Sequence, residues 1–427
     1  MSAAGSQGRL GALALMVRRS LRQHALSTAV TVLSVALASG LTMAVFAVRD
    51  ESRAAFTGGA TSFDAVLGAR GSQLQLVLNT VFHLETSAGN IPWTMYQAMR
   101  ADPRVAAAIP YAVGDNFHGY RIVGTTAELF TRFEASKGHP YKFGSGGRVF
   151  DPDKPEAVIG SIVARRLGLD AGSTFHPFHG VIYDESAQHS ETYTLVGVLE
   201  PTNTPSDRVL WIPIDGVFRM SGHVLRGTGT EYVAQEGVEI PDEHKEVSAV
   251  MIKLRTPQAG MMLDQTINKQ GKVATLAWPI GRVMGELLDK IGWMTQVLAL
   301  VAYLVVIVAA SSVLASLYNT MNERRRDFAI LRALGAGRGT VLAAIVLEST
   351  AITVLGALAG LVVYIAILVG VASVLRDQVG VVLDLTRVHP ALVATPCAVV
   401  ALGALAGLLP AFKAYSTDVA SNLAPVS

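Results

Sequence analysis

Histidines and carboxylates crowd one stretch of this 427-residue chain. His176-Pro-Phe-His179 is followed by Asp184, Glu185 and His189, and eight of the ten histidines fall between residues 49 and 290. Imidazole nitrogens and carboxylate oxygens bind borderline divalent metals such as zinc, which makes His176, His179 and His189 candidate metal ligands. The same residues also suit a turn-rich surface where histidines are hydrated or hydrogen-bonded, and their spacing does not choose between the two readings. His24 and His389 border apolar runs and read as structural.

Other chemistry is missing. No Gly-x-x-x-x-Gly-Lys-Ser/Thr loop is present to cradle nucleotide phosphates; Gly335-Ala-Gly337-Arg-Gly339 lacks the lysine and follows a helical pattern instead of a strand. There is no Gly-x-Ser-x-Gly elbow and no His-Glu-x-x-His, so the chain reads as non-catalytic. A single cysteine, Cys397, excludes an intramolecular disulfide and a cysteine-based zinc site, and its apolar surroundings suggest a small buried packing residue.

The elements that must hold these residues follow from composition. At 51% hydrophobic, 16% charged and a mean hydropathy of +0.40, the chain is too apolar for soluble domains alone. Runs long enough to cross about 30 Å of hydrocarbon, roughly 20 residues each, occupy 25–48, 291–318, 341–374 and 391–412. Only one acid, Glu348, lies within them, near the start of the third run. Residues 49–290 carry 23 Lys and Arg against 27 Asp and Glu, so the overall charge of +2 hides an acidic-leaning domain joined to a basic-flanked membrane part. Neither balance resembles a nucleic-acid-binding chain.

Arg9, Arg18, Arg19 and Arg22 precede the first run, and Arg324, Arg325, Arg326, Arg332 and Arg338 separate the second from the third. By the positive-inside rule both segments are expected in the cytoplasm, with 49–290 and the short 375–390 loop outside and the 413–427 tail inside. In residues 1–24, Leu10, Leu13, Ala14, Val17 and Leu21 recur at helical spacing opposite the arginines, the pattern of an interfacial elbow helix lying against membrane lipid. Gly356-Ala-Leu-Ala-Gly360 and Gly403-Ala-Leu-Ala-Gly407 place glycines four apart. Such faces let helix backbones approach closely in lipid, implying helix packing and no ion pathway.

Between the first two runs the chain mixes elements. Pro92–Arg100 and Ser161–Leu167 read as helices, and 192–198, 208–212 and 247–254 as strands. Ser221–Glu246 is polar, shows no period and is expected to be a long mobile loop. The fold class is thus an α-helical membrane protein with four transmembrane helices and a large α+β extracytoplasmic domain between helices 1 and 2.

Glu-Arg-Arg-Arg-Asp-Phe-Ala-Ile-Leu-Arg-Ala-Leu-Gly-Ala at 323–336 resembles the signature of MacB/FtsX/LolC-type ABC transporter permeases, which lies between their second and third spans. Glu348 matches an acid the family carries early in span three. Ala157–Gly172 and Val196-Gly-Val-Leu resemble turns of its outer domain, and Pro410–Asp418 through Leu423 its closing segment. Departures are Asp327 for the usual Glu, Val419 where Pro is common and Ala424 where Arg is common.

The resemblance implies a mechanotransmission permease, homodimeric and in the bacterial inner membrane, working with a cytoplasmic ABC ATPase dimer that binds ATP and Mg while this chain binds no cofactor. Residues 319–340 would then form the coupling helix and loop. Phe328, Leu331 and Leu334 recur at i, i+3 and i+6 to fill an apolar groove on the ATPase, Arg324, Arg325 and Arg332 meet its acidic rim, and Glu323, Asp327 and Gly335 complete the signature. Stalk helices are expected at 49–56 and 280–290. Two rival readings stand beside this one: an FtsX-like regulator whose movement activates a periplasmic partner such as a cell-wall hydrolase, and the handling of a divalent metal by the outer histidines.

Overall fold

The computed structural model describes residues 3–235 and 237–416; the closing segment from 417 onward, with Val419 and Ala424, lies outside the described residues. The chain divides into two compact units, one of Met1–Asp50, Gly292–Val371 and Asp384–Ser427, the other of Glu51–Ile291 and Ala372–Leu383.

Thirteen α-helices are seen among the described residues. In chain order they are α1 (Ala3–Gln23), α2 (Ala25–Ala54), α3 (Gln73–Thr80), α4 (Trp93–Ala101), α5 (Glu128–Arg132), α6 (Ser161–Leu167) and α7 (Ile214–Arg219). Then come α8 (Pro257–Asp264), α9 (Ile280–Lys290), α10 (Gly292–Glu323), α11 (Arg325–Ala333), α12 (Arg338–Val379) and α13 (Ala391–Ser416). Those long and apolar enough to cross a membrane are α2, α10, α12 and α13, matching the four apolar runs.

In the helical unit α12 is the common partner, and glycine sets the distances. A Cβ on Gly356 would stand 2.5 Å from Val35, and one on Gly360 would stand 3.0 Å from both the Ala36 carbonyl and Ser39. Gly40 answers from α2, where a Cβ would meet Val363 at 2.6 Å. On α13, a Cβ on Gly403 would collide with Thr353, and one on Gly407 with Ser349. Helix backbones therefore touch where lipid supplies no hydrophobic drive, so the contact rests on dispersion. Val35 and Ala38 of α2, Ala309, Val313 and Leu317 of α10 and Val399 of α13 close a second apolar contact. Cys397 is exposed on α13, correcting the expectation of a buried residue: among the described residues nothing covers its side chain.

The mixed unit is built on strands β1 (Ala65–Ala69), β2 (Ile91–Pro92), β3 (Val105–Phe117), β4 (Tyr120–Thr125), β5 (Glu134–Ser136), β6 (His139–Pro140) and β7 (Glu156–Ile159). They continue with β8 (Thr174–Phe175), β9 (Phe178–His179), β10 (Tyr193–Val198), β11 (Val209–Pro213), β12 (Glu246–Val247), β13 (Ala249–Leu254) and β14 (Ala274–Ala277). Ten of these form one sheet in the order β14-β1-β13-β3-β4-β11-β7-β10-β8, with β9 added beside β3. Side chains alternate between faces with period two. Leu210 and Ile212 of β11 join Tyr96, Val163, Phe218 and Leu263 on one side, while Val209 and Trp211 join Leu76, Phe130, Val283 and Met284 on the other. Helices therefore cover both faces, and β11 is buried along its whole length, as a strand in the middle of such a layer must be.

Two expectations are corrected here. Ser221–Glu246 is laid down in defined turns, because Leu225 and Ile240 are core residues, Leu225 and Tyr232 exchange backbone hydrogen bonds, and the Tyr232 ring stacks on His244 at 4.2 Å. Residues 375–390 are not all loop: α12 runs to Val379, Val381 is buried in the core of the mixed unit, and Asp377 pairs with Arg166 while its carbonyl accepts from Arg208.

A side chain at a glycine contact has nowhere to go without separating the helices. Gly356→Leu is expected to destabilise the protein in detergent by about 1–3 kcal/mol, read as a lowered melting temperature, whereas Gly370→Ala on the same helix, where a Cβ meets nothing within 4 Å, is expected to be neutral.

Candidate functional site

Two places in the molecule carry side chains arranged for more than packing. The first is in the mixed unit and begins with a carboxylate in an apolar strand. Between Val113 and Asp115 the β3–β4 register slips by one residue, so Gly114 is an extra residue and Asp115 is turned from the regular alternation. Asp115 lies directly across the ladder from His179 of β9. Asn116, beside it, donates from Nδ2 to the carbonyl oxygens of Gly180 (2.9 Å) and Ile182 (3.3 Å), holding the turn after His179 in place.

Three imidazoles converge on one oxygen of that carboxylate. Asp115 Oδ1 lies 3.1 Å from His223 Nε2, 3.2 Å from His189 Nε2 and 3.4 Å from His179 Nδ1. One ligand atom from each of the four residues lies within 4.8 Å of all the others. Asp115 and His189 are buried, and His223 is largely so. His179 is 59% exposed and faces solvent. Each buried ring has its far nitrogen committed: His189 Nδ1 is 2.8 Å from the Ser221 carbonyl oxygen and His223 Nδ1 is 2.8 Å from that of Val217. A carbonyl can only accept, so both Nδ1 atoms carry hydrogen; each Nε2 then donates to Asp115 when its ring is charged and presents a lone pair when it is neutral.

Burial alone would raise the Asp115 carboxyl, but the hydrogen bonds and charges of His189 and His223 hold it below the usual carboxylate range. Burial likewise opposes charge on His223 and is the largest single influence, but the hydrogen bond and charge of Asp115, the Val217 carbonyl and the charge of Glu191 together outweigh it and raise the ring. Charging both buried rings is costly, since imidazoliums with centroids 5.2 Å apart repel by about 3 kcal/mol at an effective dielectric of about 20.

Of the three histidines singled out in the sequence, His179 and His189 meet here and His176 does not: its Nδ1 lies 3.1 Å from the Glu191 carbonyl oxygen. His176 and His179 sit only three residues apart, but the chain from Thr174 to His179 is extended and carries the two rings away from each other. Asp115 and His223 were missed. Asp115 had a signal, a lone acid inside a strand-like apolar run, whereas His223 lay in a segment read as loop.

The second place is in the helical unit, where α11 is a short helix set apart by breaks at Arg324 and at Leu334–Gly337. One side of it is anchored. The Ser20 hydroxyl of α1 donates to the buried Glu348 carboxylate of α12, Arg324 Nη1 donates to Ser20 Oγ at 2.7 Å, and the same nitrogen lies 3.6 Å from Glu348 Oε2. The Arg324 guanidinium also stacks over the Phe328 ring at 5.2 Å, and Phe328 packs against Val341, Ile345 and Ala411. Arg324 and Phe328 are thereby drawn inward, unlike the expected rim and groove contacts, because a buried carboxylate and an apolar pocket of the same chain take them up. Leu331 and Arg332 are half-buried, and the Arg325 side chain lies outside the described residues. The other side is open: Arg326, Asp327, Ile330, Leu334 and Gly335 are exposed. Glu323 is exposed too and lies 3.4 Å from His24 at the α1–α2 junction.

Comparison with known proteins places the chain in one family. The model of the MacB-like periplasmic core domain matches residues 28–268, and that of the FtsX-like permease C-terminal matches residues 299–419. No curated protein matches the chain. Among solved structures, the periplasmic region of MacB from Actinobacillus actinomycetemcomitans aligns with a TM-score of 0.33 at 10% identity, covering 54% of this chain and 94% of that one. The extracellular domain of the noncanonic ABC-type transporter YknZ from Gram-positive bacteria aligns with a TM-score of 0.28 at 13% identity, covering 50% of this chain and 99% of that one. With one family model over more than half its length and the second over its last three apolar helices, the chain belongs to the MacB/FtsX-type permeases, the membrane components of ABC transporters, with its periplasmic domain set between the first and second membrane helices.

Proposed function

We propose that this permease works by mechanotransmission, as a homodimer in the bacterial inner membrane with both termini in the cytoplasm. A separate ATPase dimer hydrolyses ATP, and its movement drives the periplasmic domain to export or extract a substrate on the outer side. The observation that carries this reading is the two-sided α11. Its exposed face offers Ile330 and Leu334, 44% and 80% exposed, beside Arg326 and Asp327, a small apolar patch with charges around it. Its other face is fixed through Arg324 and Phe328 to α1 and α12. A push on the exposed side therefore moves α12, and with it the helices packed on its glycines.

Dimerisation is supported by the small number of helices, since four enclose no pathway; the one acid within the apolar runs, Glu348, lies near the start of its run and is paired with Arg324, which speaks against conduction between them. The ten-stranded periplasmic sheet is a large structure for a simple signal relay, which favours transport over regulation of a hydrolase.

Three outcomes are expected. Ile330→Asp combined with Leu334→Asp weakens co-purification with the ATPase at least tenfold, about 1.4 kcal/mol, and unchanged retention of the ATPase would refute the docking face. Glu348→Ala, which deprives Ser20 of its acceptor and Arg324 of its ion-pair partner, lowers thermal stability in detergent by about 1–3 kcal/mol, and Glu348→Gln, which keeps an acceptor for Ser20, costs less. In a Cys397→Ser background the chain has no other cysteine. There, Thr230→Cys is labelled by an impermeant maleimide in intact spheroplasts and Asp327→Cys only after lysis; the reverse pattern would overturn the orientation.

A further inference from the structure

We propose that Asp115, His179, His189 and His223 form a zinc site in the periplasmic domain, loaded from solvent past His179. The donor set is three imidazoles and one carboxylate, a combination suited to zinc. Tetrahedral zinc with bonds of about 2.0–2.1 Å separates its ligand atoms by about 3.3–3.4 Å, and Asp115 Oδ1 stands 3.1, 3.2 and 3.4 Å from the three nitrogens. The carboxylate oxygen is thus at ligand spacing from all three nitrogens, and the four atoms together, within 4.8 Å of one another, need only draw in around the ion.

Three further observations point to a cation. His189 and His223 each spend Nδ1–H on a backbone carbonyl, the outer contact that fixes the tautomer of a metal-bound histidine and leaves Nε2 free to ligate. Asp115, only 1% exposed, has its second oxygen Oδ2 without a hydrogen-bond partner. A buried carboxylate with one free oxygen, and three imidazole nitrogens gathered around the other, is a set of donors that a divalent ion would complete. The framework is also prepared in advance, because Asp115 and His179 are fixed opposite each other on paired strands and the amide of His189 donates to the Pro177 carbonyl. Ser221, which supplies the carbonyl for His189, is itself held by two hydrogen bonds to Glu191, at 2.8 and 3.0 Å.

Exposure divides the labour among the ligands. Asp115, His189 and His223 wait in the interior, and His179 alone reaches water. Zinc can enter and leave on that side, so the site is exchangeable, unlike a closed structural centre. This inference needs no ATPase and no permease activity, and it stands or falls on the chain alone.

The experiment uses the full chain in detergent micelles, stripped of metal and titrated with Zn2+ against a chromophoric chelator. One equivalent is expected to bind with micromolar or tighter affinity, and Co2+ in its place is expected to give the intense visible absorption of a four-coordinate site. His179→Ala, at an exposed position that leaves the fold intact, weakens binding by about 10–100-fold, since even loss of an outer contact has an effect of that order. His176→Ala leaves binding unchanged. Binding no tighter than about millimolar, or equal weakening by the two variants, would overturn the site and leave a pair of histidines hydrogen-bonded to Asp115.

Discussion

A carboxylate cannot be left alone inside an apolar bundle, and the demand of Glu348 for partners organises the helical unit. Ser20 and Arg324 meet that demand from the elbow helix and from the break before α11. One buried charge thus decides where three segments far apart in sequence must come together. The arrangement is specific because the alternative is expensive: an unpaired charge in hydrocarbon has no water to fall back on. Glycine does the remaining work, bringing α2 and α13 onto α12 at backbone distance.

The same logic recurs in the mixed unit with a different outcome. Asp115 is more deeply buried than Glu348, and its neighbours are imidazoles whose Nδ1 hydrogens are directed to backbone carbonyls. Glu348 has donors within reach and is satisfied by the chain itself. Asp115 is met by imidazole nitrogens that can either donate or ligate. That contrast between two buried acids separates a structural knot from a binding site, and it depends on hydrogen positions more than on the residue types present.

Much of this was legible in the sequence, for reasons that differ by element. The four membrane helices were, because length and apolarity alone define them, and so were α6, β10, β11 and β13, whose periods are plain. The signature at 323–336 located α11 but not its orientation: Phe328 and Leu334 lie on one stripe by spacing, yet a pocket of the same chain claims Phe328 and leaves Leu334 out. The histidine cluster was half legible. His179 and His189 share a local segment, whereas Asp115 and His223 join them only through strand pairing and the turn after α7, contacts that no linear spacing encodes. Ser221–Glu246 was misread because its order comes from two core anchors and a stacked ring pair, not from any repeat.

The extra residue at Gly114 also has a genealogical meaning. Were Gly114 taken into regular pairing at the same strand length, Asp115 would fall on the face of Val113 and no longer on that of Ile122. Kin whose strand pairs straight through at this length would therefore turn the acid away from the histidines, and the bulge, more than the acid, would sort kin that carry the four-residue cluster from kin that share only the architecture.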